Sequence, residues 1–148
     1  MYSTIMFIHI VAAATWIGGS MLLFALGVFM RDKEAQKVVY FYIGPIYGYF
    51  ESVVLAVLLI TGSYMYVVNG FHDNPEKFTY ELGFYMHIKI ALVALITIAT
   101  AIHMYISLKT NGKDKTLKEK LLARGTSLFI FVLNFVILWL AIQIRTIL

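Results

Sequence analysis

The chain contains no cysteine, which excludes both a disulfide framework and a thiolate-held metal and leaves the redox compartment unmarked by cysteine usage. Charge is scarce: 14% of the 148 residues are Asp, Glu, Lys or Arg. A pI near 9.3 would suit a nucleic-acid partner, but the basic residues sit between apolar blocks, where positive charge sets membrane topology. No nucleic-acid partner is expected. Proline occurs only twice, at Pro45 and Pro75, so long helices are almost uninterrupted. No internal repeat or low-complexity tract is visible.

Apolar sequence fills the space that these residues leave. Hydrophobic residues make up 61% of the chain, and the mean hydropathy is +0.82, far above that of a soluble domain. They fall in four blocks, residues 1–30, 40–69, 82–108 and 126–148. Each exceeds the ~20 residues that a helix needs to cross a bilayer core of ~30 Å. The first block has no Lys or Arg ahead of it and is too long for a signal-peptide core, so it is expected to remain as a helix. Short connections make consecutive helices antiparallel neighbours. The expectation is an all-α, integral membrane, up-down-up-down four-helix bundle of one domain, with spans of about 3–30, 43–69, 83–108 and 126–147.

The connections orient the bundle. Residues 31–37 (RDKEAQK) hold three basic residues and 109–124 (KTNGKDKTLKEKLLAR) hold six, whereas 70–81 (GFHDNPEKFTYE) hold one basic and three acidic. The positive-inside rule then predicts both termini outside, in a bacterial inner membrane. Arg145 alone speaks mildly against it. Residues 115–124 have helix-favouring composition and extend the fourth helix or lie along the inner leaflet. Gly44-Pro45 marks a helix start or a kink, and Asn74-Pro75 an outer turn. The ten tyrosines and eleven phenylalanines read as belt and packing residues.

Ionisable groups inside a bilayer are functional candidates by default. With span centres near Trp16, Ala56, Leu95 and Val136, His9 lies roughly 10 Å and His87 roughly 12 Å outside the midplane, while His103 lies roughly 12 Å inside it. His72 falls in the outer connection. Two histidines at one depth on nonadjacent helices suit bis-imidazole ligation of a haem. His103 follows His87 by 16 residues, about 160° around the helix and ~24 Å along it. The two cannot share a haem, so one haem b per chain is expected, with His103 in reserve.

The segment FIHIVAAATWIGGS (residues 7–20) supports the same site. At ~100° per residue, His9, Ala13, Trp16, Ser20 and Leu23 share a narrow arc. Ala12, Ala13, Gly19 and Ser20 leave room for a flat macrocycle, with Trp16 at its edge; alternatively these small residues serve close helix packing. His87 is either a ligand or an interfacial residue, and His103 either a ligand or bonded to backbone. Lys89 either snorkels or meets a haem propionate. Gln143 shares the level of His9 and His87. Glu51, roughly 8 Å inside the midplane, relays protons or pairs with a polar group such as Asn134. Met86 and Met104, each beside a histidine, would suit Cu(I), but no dense methionine repeat accompanies them.

These residues carry a resemblance. His9, Trp16 and Gly18-Gly19 resemble the first-helix pattern of the copper-resistance protein D and HemJ-type superfamily of four-helix membrane proteins. TGSYMY (residues 61–66) resembles that group's second-helix ending, and YMHIKIALV (residues 85–93) its third-helix opening, with a histidine two positions before a lysine. The resemblance touches three of the four spans in order. It implies that His9, Trp16, His87 and Lys89 are the functional positions, that the HemJ branch's b-type haem and protoporphyrinogen oxidation are relevant, and that copper handling at the inner membrane is the other branch's activity. The Pro-Arg stretch that follows the tryptophan in HemJ proteins is replaced by GGSMLLFALGVFMR (residues 18–31), which places the chain outside that branch.

The functional expectation is a haem b protein of electron transfer, exchanging with a quinone or periplasmic partner and working as a homodimer or with a partner membrane subunit. A protoporphyrinogen oxidase, a copper transporter and a cofactor-free structural subunit are the alternatives.

Overall fold

A computed structural model describes residues 1–71, 79–110, 113 and 116–147. His72, Asn74, Pro75 and Lys115, considered above, lie outside the described residues. The chain folds into four helices: α1 Tyr2–Phe29, α2 Lys33–Val68, α3 Tyr80–Lys109 and α4 Leu117–Ile147. No strand occurs among the described residues. All four helices are long and apolar enough to cross a membrane. The protein is an all-α four-helix bundle of the multi-pass membrane class.

Several helix ends are set by side chains that satisfy the unpaired backbone groups of the termini. Asp32 accepts from the N–H groups of Glu34 and Ala35 at 3.0 and 3.2 Å and so starts α2. The last carbonyls of α1 are met from α2. Gln36 Nε2 donates to Gly27 O at 3.1 Å and Tyr40 Oη to Leu23 O at 3.2 Å. Thr79 caps α3 through the Leu82 N–H at 3.3 Å.

Thr116 and Glu119 form a reciprocal box at the start of α4. Lys109 Nζ reaches Glu119 Oε1 at 3.5 Å, tying the end of α3 to this turn.

One boundary differs from the sequence expectation, and at another the structure decides between two alternatives. α2 starts at Lys33, about two turns before its apolar block, because the Asp32 cap and not the membrane edge sets its beginning. Gly44-Pro45 is therefore no helix start: Pro45 lies inside α2, where it withholds one backbone donor. α4 runs unbroken from Leu117, so the basic segment extends the helix.

α1 packs chiefly on α2 and α3 on α4, and narrower α1–α4 and α2–α3 contacts close the ring. α1 and α3 thus stand on one diagonal. The α2–α3 approach uses glycine. A Cβ added at Gly44 would lie 3.7 Å from Ser107 Oγ, and one at Gly48 3.8 Å from Met104 Cγ, the small-xxx-small packing of membrane helices.

Ile96, Ala99, Ile130 and Leu133 form the α3–α4 core. Phe71, Leu82 and Ile144 close the end near the termini, with Met86 against them. Large apolar side chains such as Phe7, Ile46, Ile60 and Tyr105 point outward, as contact with a lipid bilayer requires.

Candidate functional site

His9 is half-buried on α1, and its ring is held from α2. Its Nδ1 lies 2.7 Å from Thr61 Oγ1. Thr61 spends its own hydroxyl proton on the Val57 carbonyl at 2.6 Å, so toward His9 it can only accept. The network therefore assigns the proton to His9 Nδ1 and the lone pair to Nε2. On the same side, a Cβ at Gly62 would stand 3.3 Å from His9 Cε1; glycine there lets α2 approach the ring. This is how metal-ligating histidines are prepared: one nitrogen donates to a neighbour, which fixes the tautomer and leaves the other to bind.

α3 brings Lys89, not His87, to this neighbourhood. Lys89 is half-buried, and its charge is close enough to bear on the His9 imidazole. His87 is exposed and donates from Nδ1 to the Gly83 carbonyl of its own helix at 2.7 Å. Two residues along a helix are about 200° apart, so the helix that turns Lys89 inward turns His87 outward.

His9 and Lys89 offer one imidazole nitrogen and one nearby positive charge. The bis-imidazole pair does not form in this arrangement.

The expected macrocycle face of α1 is otherwise occupied. Trp16 donates its indole N–H to Asn134 Oδ1 on α4 at 2.9 Å, and both residues are 4% exposed. A Cβ at Gly19 would run into the ring of Tyr47 from α2. Ser20 lines a cleft in the other half of the bundle together with Glu51 and His103. Glu51 is thus brought to His103 and not paired with Asn134. Gln143 is half-buried on α4 beside Ile144 of the end core.

The methionines next to histidines serve the packing: Met86 joins the end core and Met104 Sδ accepts from Ser52 Oγ at 3.0 Å. Among the described residues, no three of His, Asp and Glu converge as a metal site.

Thr61 and Gly62 were legible only as part of the TGSYMY motif. The partner of Trp16 had no signal in the sequence. The separation of His87 from Lys89 did: their spacing alone puts them on opposite sides of one helix.

No protein-family model matches the chain, and neither does any curated protein or any solved structure.

Proposed function

We propose that the protein is a membrane-embedded b-type haem protein that works in electron transfer at a bacterial inner membrane, oriented with both termini outside. The observation that carries this reading is the His9–Thr61 bond, which prepares Nε2 of a half-buried imidazole as a ligand atom. Bound haem supplies one-electron redox chemistry, with a potential set by axial ligand, hydrogen bonding and burial.

The residues of the chain do the rest. Thr61 orients the imidazole, Gly62 keeps α2 tight against it, and Lys89 offers a positive charge to a carboxylate at the same site. His9 sits in the half of the bundle that contains the termini, so the partner is a quinone or a redox protein reached from that side. The chain works as a homodimer or with a partner membrane subunit.

The absorption spectrum of the purified protein tests the reading. A Soret band with reduced α and β bands is expected. It should vanish in His9→Ala and survive in His87→Ala, since His9 is half-buried beside Lys89 whereas His87 is exposed. A colourless wild type purified from haem-replete cells would overturn the proposal.

A further inference from the structure

The half of the bundle that carries the α1–α2 and α3–α4 connections holds a second polar cluster. All four helices contribute to one cleft there: Ser20 and Leu23 from α1, Glu51 from α2, His103 from α3, Ser127 and Ile130 from α4. It is partly open and has a volume of about 20 Å³, room for about one water molecule. Pockets for organic ligands and cofactors run from about 300 to 1,000 Å³, so this cleft suits a small species.

Charge balance narrows the choice. Glu51 is only 9% exposed, and a bare carboxylate in such a place is costly unless it is paired or carries a proton. Among the described residues, no lysine or arginine lines the cleft. Tyr47, one turn from Glu51 on α2 and within reach of its charge, brings a hydroxyl and no compensating cation.

His103 is the lining group able to compensate. Thr126 donates to the Leu122 carbonyl at 2.8 Å and so accepts from His103 Nδ1 at 3.2 Å, which makes Nε2 the basic nitrogen. One proton shared between the carboxyl and the imidazole through water in the cleft keeps the cluster neutral wherever it resides.

Two further atoms point to water beside the cleft. Thr100 Oγ1 and Asn134 Nδ2 are buried without a hydrogen-bond partner. Thr100 precedes His103 by three residues on α3, and Asn134 follows Ser127 by seven on α4, so both continue the cleft-lining faces toward the middle of the bundle. Buried polar atoms are rarely left unmatched, and ordered water is a usual partner.

We infer that Glu51 and His103 together form a proton-binding site in this cleft, sharing one proton, with Ser20, Ser127 and water as its hydrogen-bonding shell. The site takes a proton from water and returns it to water, and no bond other than O–H or N–H forms or breaks. It stands apart from the haem reading, because its ligand is the proton and its readout needs no haem.

Dicyclohexylcarbodiimide, an apolar reagent that adds to protonated carboxyl groups, provides the test. The full chain in detergent is treated across a pH series and the adduct is mapped by mass spectrometry. Glu51 should be labelled, with labelling that fades as pH rises. In His103→Gln, labelling above the wild-type midpoint should rise roughly tenfold, because the imidazolium that favours the carboxylate is gone.

A Glu51 that is never labelled, or is labelled equally in both proteins, overturns the inference. Infrared titration of the wild type decides the matter independently of any variant's folding. A carboxyl band removed by Glu51→Gln and an imidazole band must titrate together; independent titration of the two overturns the shared site.

Discussion

Trp16 and Asn134, distant in sequence, meet at 2.9 Å through an indole N–H and an amide oxygen, and this bond is the buried polar link between α1 and α4. The remaining amide group, Asn134 Nδ2, has no protein partner. The link therefore resembles a joint more than a saturated network. Its position on the α1–α4 seam matters because that seam is narrower than the α1–α2 and α3–α4 seams.

Breaking this joint should loosen the bundle measurably. Asn134→Ala leaves a buried indole N–H unmatched, and Trp16→Phe leaves the amide with neither end bonded to protein. Interhelical hydrogen bonds in membranes contribute about 0.6 kcal/mol on average and up to ~1.7; an orphaned buried donor adds to the loss. A destabilisation of about 1–2 kcal/mol is expected for Asn134→Ala. Unfolding of the detergent-solubilised variants reads it. The double variant Trp16→Phe/Asn134→Ala should lose less than the sum of the two single changes; strict additivity would mean that the bond contributes nothing.

Gly18 and Gly19 should respond differently to the same methyl group. Nothing lies within 4 Å of a Cβ at Gly18, whereas at Gly19 the Tyr47 ring carbon Cε2 would be 2.8 Å away. Gly18→Ala is expected to be silent. Gly19→Ala should cost about 1 kcal/mol, the low end for overpacking, since the ring can swing aside. The Tyr47→Ala background should remove the penalty. An equal effect of the two substitutions on thermal stability would refute this account of the α1–α2 seam.

The proposed haem site makes a prediction about the residue behind the ligand. Thr61→Val keeps the shape and removes the oxygen that accepts from His9 Nδ1. Loss of such a partner typically lowers affinity for a bound metal by about 10–100-fold. Haem retention during competition with apomyoglobin should fall in that range, while Thr15→Val, on α1 and bonded only to its own helix, should leave it unchanged. Retention identical in Thr61→Val and the wild type would mean that Thr61 does not prepare the ligand.

The pattern of what could be read from the sequence has a physical reason. Lipid exposure is written in composition, so four long apolar blocks give four spans. A helix end is written in caps: Asp32, not the edge of the apolar block, starts α2. The rotation of each helix about its axis depends on its neighbours, and a single sequence holds little of that.

Trp16 illustrates the difficulty: it turns inward on α1, and its partner Asn134 lies on another helix altogether. His87 and Lys89 illustrate the reverse. Two residues apart, they point about 200° from one another on α3, so a shared depth does not give them a common inward face. Glu51 and His103 were each visible as costly residues in a membrane, and only the packing of four helices brought them to one cleft.

Acid should fray the start of α4. Glu119 Oε2 accepts from the Thr116 N–H at 3.0 Å and from the Thr116 hydroxyl at 3.1 Å. These bonds, the backbone one first, hold its carboxyl below the usual carboxylate range, with the charge of Lys109 adding to them. A carboxyl lowered in the folded state stabilises above its unfolded value, near 4.3 for glutamate, and that contribution is lost as pH falls through the lower folded value. NMR titration of the Glu119 carboxyl should give a midpoint below the free value, returning toward it in Thr116→Ala. A wild-type midpoint at the free value would remove the box as a source of α4 stability.

The orientation of the bundle decides what each site can reach. Nine basic residues fall in the 31–37 and 109–124 stretches, against one in 70–81, and the positive-inside rule places the first two in the cytoplasm. Reporter fusions should therefore read outside at Asn74 and inside at Asn111. With that outcome His9 and Lys89 face the outer half of the membrane. Glu51 and His103 then lie in the cytoplasmic half, where a proton site exchanges with the cytoplasm. The reverse pattern would exchange the two: the His9 site would meet cytoplasmic partners, and the Glu51–His103 cleft would exchange protons with the outside.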